Sequence, residues 1–217
     1  MKKFILPALI LLVFNSCIGL SMDIQMNRDG SGRLVMEYRI SSILENLGTF
    51  DGNRSTPAIP LSAEDWAKTI ERNPGIKLVS LSSRETAQDT VINVTLDFNN
   101  EEALKKLLDP ASSMVSINRN GNSGTMDIII LNDQIYNGSL YDDSMVNLMK
   151  MIFSGYNFSV SFSGPGNTTL TILDSKGNSK QAPVSSAAVL TGRRVSFSIA
   201  IMEILNITDG LGLRFNW

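Results

Sequence analysis

The sequence predicts an α+β fold: an antiparallel sheet built from hairpins, with helices packed mainly on one face in ββα-type units. Three observations lead there. Apolar residues alternate with polar ones on both sides of tight Gly-containing turns, which is the pattern of half-buried hairpins. Between the hairpins lie segments with helix caps and helical spacing. Hairpins pair antiparallel, so strands that come in adjacent pairs cannot build a parallel βαβ sheet. The chain has 217 residues, 43% of them hydrophobic and 18% charged, enough for a substantial core.

The first hairpin sets Met22, Ile24 and Met26 against Leu34, Met36, Tyr38 and Ile40, about the turn Arg28-Asp29-Gly30-Ser31-Gly32. Residues 41–47 suit a short helix, and 48–60, with glycine and two prolines, a loop. Ser62 then caps a helix, with Asp65 in the capping-box position, Trp66 and Ile70 on its inner face, and Asn73-Pro74-Gly75 as its stop. Strands follow at 76–83 and 90–98. In the second of them Ile92, Val94, Leu96 and Phe98 make one apolar face. Asn100 caps a helix over 101–108, in which acids lead and lysines follow, as the helix dipole favours. A third hairpin, 114–118 with 125–131, turns about Asn120-Gly121-Asn122. A helix then runs from Asp143 or Ser144 to about Phe153. Strands are expected at 156–162, 168–173, 194–199 and 211–217, with a polar loop at 176–182 and a short helix at 201–206.

Composition narrows function before any motif does. There are no histidines, which excludes Ser-His-Asp and Cys-His catalytic units and His-ligated metals. The one cysteine excludes an internal disulfide and a thiolate cluster. A net charge of −2 argues against a nucleic-acid partner, which demands a basic surface. No cofactor, no metal ligand set and no catalytic residue is indicated, so the chain is expected not to be an enzyme.

The amino end carries an address. Lys2 and Lys3 precede the uncharged apolar run Phe4–Phe14, which falls well short of the about 20 residues that a spanning helix needs. A basic start, a short apolar centre and small residues after it make a secretory signal. The lone cysteine follows in Phe14-Asn15-Ser16-Cys17, similar to a bacterial lipobox in which the cysteine is acylated, for example with palmitate, and becomes the first mature residue. The alternative is an ordinary signal peptide with an incidental cysteine. The expected organisation is a signal peptide over 1–16 and one α+β envelope domain over 17–217. Its membrane attachment runs through the lipid on Cys17, on the periplasmic side or at the outer membrane of a diderm bacterium. Cleavage removes Lys2 and Lys3 and leaves a more acidic chain, so attachment rests on acyl chains rather than on attraction to anionic headgroups.

The strand–turn–strand over Asp29-Gly30-Ser31-Gly32 after Cys17, Gly164-Pro165-Gly166 before a strand, the Gly177-Asn178 turn, the apolar strand 194–201 and the final strand to Trp217 together resemble the LppM-type family of bacterial envelope lipoproteins. The resemblance runs along nearly all of the mature chain. It implies an α+β envelope domain that binds a lipid or glycolipid, and it transfers no catalytic residue. The segment from Pro183 to Leu190 is a longer loop than the family pattern, and a C-terminal membrane span found in some members is missing.

The residues themselves suggest one place for such a ligand. Met145, Leu148, Met149 and Ile152 lie at helical spacing, and Phe153 widens the stripe. A helix this apolar is either plain core or the cover of an amphiphile-binding cavity. Trp66 is either the anchor of its helix or the mouth of that pocket. A structural or interaction role, docking a protein through a strand edge, is the other expectation. The acid pairs Glu64-Asp65, Glu101-Glu102 and Asp142-Asp143 all fall at helix starts, where capping explains them better than catalysis does.

Overall fold

A computed structural model describes residues 18–41, 60, 62–87, 89–111, 113–132, 153, 155–204 and 206–217. The larger of its two sheets starts with β1 (Ile18–Met26) and β2 (Gly32–Ser41), a hairpin in the register Met22↔Met36 and Ile24↔Leu34. Helix α1 (Ala63–Glu71) leads into β3 (Ile76–Glu85) and β4 (Asp89–Phe98), and α2 (Glu101–Leu108) leads out. The hairpin β5 (Val115–Asn120) and β6 (Ser123–Leu131) follows, then β7 (Asn157–Ser163), β8 (Thr169–Leu173), β9 (Ala187–Thr191) and β10 (Arg194–Ala200). A one-turn α3 (Ile201–Ile204) and β11 (Leu211–Asn216) complete the order.

The α+β character and the prevalence of antiparallel pairing stand, but the single sheet becomes two. Seven strands pair in the order β3-β4-β2-β1-β7-β10-β9, and four in the order β5-β6-β11-β8. Every neighbouring pair of strands is antiparallel except β1 and β7, which run parallel with Met22↔Val160 and Ile24↔Phe162. The exception is possible because the chain crosses through the smaller sheet between these two strands, and parallel neighbours require such a long connection.

Alternation decides which faces are buried. Ile24, Leu34, Tyr38, Ile40, Ile92, Leu96, Phe98 and Phe162 line the inner face of the larger sheet, and Met126, Ile128, Leu211, Leu213 and Phe215 that of the smaller. All of them belong to one hydrophobic cluster. The sheets meet directly where the Phe162 ring lies 5.3 Å from that of Phe215 and 5.2 Å from that of Trp217. A fully buried side chain of this size contributes about 1.5–3 kcal/mol, so these apolar layers outweigh any surface ion pair in the molecule. The outer face of the larger sheet is polar, as an antiparallel sheet with one wet side should be. It carries the Arg33–Asp97 pair and the hydroxyl pairs Ser159–Ser198 and Ser161–Ser196, both at 2.8 Å.

Among the described residues, a layer of helices on one face is not shown. A second sheet supplies much of the packing instead, and the helices sit at connections: α1 before the edge strand β3, α2 between the two sheets, α3 at the end of β10. Nor are the three ββα units equivalent, since the hairpins β1–β2 and β3–β4 join one sheet and β5–β6 the other. Alternation shows that a face is buried and is silent about what buries it. The segment from Pro183 to Leu190, expected as a loop, ends in β9, which pairs with β10 in the register Val189↔Ser196. The helices expected within 41–47 and 143–153 fall outside the described residues, apart from Ser41, which is strand, and Phe153. Among the described residues no helix is long and apolar enough to cross a membrane.

Candidate functional site

Trp66 is placed by its helix start. Ser62 Oγ accepts from Asp65 N at 3.1 Å, and the Asp65 carboxylate accepts from Ser62 N at 3.1 Å, a closed capping box. One turn in, Trp66 is 2% exposed, and its Nε1–H donates to the Tyr38 hydroxyl on β2 at 3.2 Å. Tyr38 in turn donates to the Pro60 carbonyl. Every polar atom in this relay is therefore partnered, which makes Trp66 an anchor that locks α1 over β2. Burial pushes the Tyr38 hydroxyl up to about 12, and the Asp65 charge pushes the same way against the opposing Trp66 hydrogen bond. The phenol stays neutral at any physiological pH and supplies no base.

Phe153 is 4% exposed, and its carbonyl accepts from Tyr156 N at 3.2 Å. The Tyr156 hydroxyl donates to Asp89. Met145, Leu148, Met149 and Ile152, which were expected to form the stripe with Phe153, lie outside the described residues, as does Cys17. Of the proposed ligand-contacting set, then, the structure places Trp66 and Phe153, both inside and neither open to solvent.

The acid pairs Glu64-Asp65 and Glu101-Glu102 serve helix starts, while Asp142-Asp143 lies outside the described residues. Glu64 binds Lys68 at 2.7 Å, one turn on, and Asp65 closes the capping box. Glu101 binds Arg119 at 2.8 Å. Arg119 is a residue whose role sequence reasoning missed. Its Nε–H donates to the Gly121 carbonyl at 2.9 Å, its Nη1–H to Glu101, and its Nη2–H to the Arg28 carbonyl. One guanidinium thus ties the β5–β6 turn, the start of α2 and the β1–β2 turn. Gly30 lies beneath this clamp at φ 86°, where a Cβ would sit 2.7 Å from Glu101 Oε1. The geometry requires glycine on both counts.

The turns at 29–32 and 174–177, each led by an aspartate, are closed on themselves. Asp29 accepts from Ser31 N at 3.0 Å and Ser31 Oγ at 2.6 Å, and these two bonds hold its carboxyl below the usual carboxylate range. Asp174 accepts from Asn178 N at 2.8 Å, Asn178 Nδ2 at 3.1 Å and Lys176 N at 2.9 Å, with the same effect. Among the described residues no group of three or more Asp, Glu or Cys could hold a metal ion.

One groove of about 460 Å³ opens beside the β1–β2 turn, lined by Gln25, Asn27, Ser31, Arg33, Asp97 and Phe98. Its charges are paired: Arg33 donates twice to Asp97, at 2.7 and 3.1 Å. The hydrogen bond from Arg33 and then its charge keep the Asp97 carboxyl below its ordinary range, although burial opposes them. Asp97 is thus an ionised acid facing a permanent cation, with no proton to deliver near neutral pH.

No protein-family model matches the chain, and no curated protein does. Among solved structures, the chain is similar to the folded domain of LppM from Mycobacterium tuberculosis, determined by NMR, at 9% sequence identity over 91% of this chain and 88% of that one, with a TM-score of 0.45.

Proposed function

We propose that this chain is a lipid-anchored protein of a diderm bacterial envelope, periplasmic or at the outer membrane, whose domain of residues 17–217 binds rather than catalyses. The observation that carries the reading is the junction at Cys17. A basic start, an apolar run and Ser16 precede the cysteine, and the first strand opens at the very next residue, Ile18. Processing at this point would remove the address and leave the folded part with its amino end on a lipid. Intact mass of the chain extracted from a processing host tests it. The expected species begins at Cys17 and carries thioether-linked diacylglycerol, with radioactive palmitate incorporated into wild type and lost in Cys17→Ala. A species that retains residues 1–16, or an unlabelled wild-type band, would sink the anchor.

The non-catalytic reading rests on the missing histidine and on carboxylates engaged in caps, turns and ion pairs. For a ligand we infer an amphiphile held against the apolar stripe of Met145, Leu148, Met149 and Ile152. Native mass spectrometry after expression in a lipid-containing host would reveal it, and a ligand-free protein without affinity for fatty acids or phospholipids would end that part. The second reading, docking of a protein partner, is favoured by a different observation: among the described residues β9 has one neighbouring strand, and it is exposed along its whole length.

A further inference from the structure

No residue separates Cys17 from β1, so a lipid on Cys17 sets how the domain stands on its membrane. β1 lies near the middle of the larger sheet, and its register assigns every strand end to one of two rims. At the rim of Ile18 lie Ser41, Glu85, Asp89, Asn157 and Ala200. Ala187 at the start of β9 is level with Ser21, through Ser198 and Ser159. The opposite rim, with the turns at 27–31 and 192–193, is about 30 Å away, given nine residues in β1 at roughly 3.3 Å each.

The near rim carries a feature that packing within the chain leaves unexplained. The turn Pro183–Ser186 leads directly into β9 and is closed by bonds to the Pro183 carbonyl from Ser186 N at 2.9 Å and Ser186 Oγ at 2.7 Å. It holds Val184 with its side chain wholly in solvent, the most exposed large hydrophobic residue among those described. Three strand spacings of about 4.8 Å separate β9 from β1, so Val184 stands within about 20 Å of the start of β1, beside the same end of the sheet. The far rim carries polar turns and the arginines Arg28, Arg33, Arg193 and Arg194.

We infer that the rim of Ile18, Pro183–Ser186 and α3 rests on the lipid bilayer that receives the anchor, with Val184 entering the interface and the arginine-bearing rim facing away. The inference rests on lipidation of Cys17. With consecutive Cα atoms about 3.8 Å apart and no spacer, the near rim stays at the surface that holds the anchor. Val184 is the exposed apolar residue of this contact. Among the described residues the near rim carries Arg39, paired to Glu37, and Arg84 beside Glu85, Asp89 and Glu203, so its acids outnumber its bases.

The test uses the full-length chain, processed in a bacterial host and reconstituted in phosphatidylcholine vesicles. Val184→Cys and Arg193→Cys are labelled with an environment-sensitive NBD maleimide; a thioether-linked Cys17 has no free thiol to compete. The expected result is a severalfold rise and a blue shift of emission at position 184 on reconstitution, quenched by doxyl-labelled lipid and insensitive to salt, with no change at position 193. A chain whose mass shows acylated Cys17 but whose label at 184 stays as water-exposed as that at 193 overturns this inference alone. Unmodified Cys17 overturns the anchor and the inference together.

Discussion

Strands β2 and β9 belong to the same sheet and are held by different forces. β2 has hydrogen-bonded neighbours on both sides and buries Leu34, Tyr38 and Ile40 to 1% exposure or less. β9 has one neighbour among the described residues, no charged residue, and exposure at every position, with Val189 at 54% and Leu190 at 66%. The other edge strand, β3, is managed in the usual way: it carries Lys77, Arg84 and Glu85 and an irregularity between Leu78 and Ser80. The difference teaches that the core secures the middle of this sheet, whereas β9 is held by its ladder with β10 and offers an unguarded edge.

One substitution made on both strands gives the largest contrast. Leu34→Ala should cost about 2–5 kcal/mol, because it empties a site with no exposed surface. Leu190→Ala should stay within about 0.5 kcal/mol. Urea midpoints of the two variants measure this directly, and equal losses would show that β9 is packed after all. Hydrogen exchange sharpens the same point: amides of β2 should exchange through global unfolding, those of β9 through local opening.

The next effect is a pH dependence specific to the centre. The Tyr38 hydroxyl ionises near 10 in the unfolded chain and near 12 in the folded one, so between these values the unfolded state holds fewer protons. Stability should therefore be intact below pH 10 and fall as pH rises to 12, by roughly 2–3 kcal/mol. Tyr38→Phe should flatten this part of the alkaline unfolding profile, and an unchanged slope would assign it to other groups.

Arg119→Ala comes third. It unties three elements and leaves Glu101 without its cation in a half-buried setting, a loss of about 1–2 kcal/mol in the denaturant midpoint. The change should appear as faster exchange at Gly30 and Ser31 while β9 stays as it was. Smallest in stability is Val189→Lys, within about 0.5 kcal/mol. Its signature lies elsewhere: light scattering at high concentration should drop, because a lysine blunts an open edge.

Much of this architecture was legible in local chemistry. Ser62 with Asp65, and Asn100 with the acids behind it, announced α1 and α2, because a cap satisfies donors only a few residues away. β2 and β4 declared themselves through alternation. β9 did not, since a strand with no buried face has no periodic signal. The second sheet and the parallel partner of β1 were illegible for another reason: a face that must be buried does not name its cover. The same limit applies to side chains. Trp66 was readable as an inner-face residue, but its acceptor Tyr38 lies 28 residues upstream. Arg119 reaches 91 residues back to Arg28, and no spacing rule spans such a distance. Cys17 stood out because its signal is wholly local.

The parallel ladder between β1 and β7 has a consequence for biogenesis. A ribosome makes Ile24 long before Phe162, its eventual neighbour. Throughout that interval one flank of the earliest strand has β2 beside it and the other has nothing, while foreign chains are free to add there. Until β7 arrives, that flank of β1 is an open strand edge.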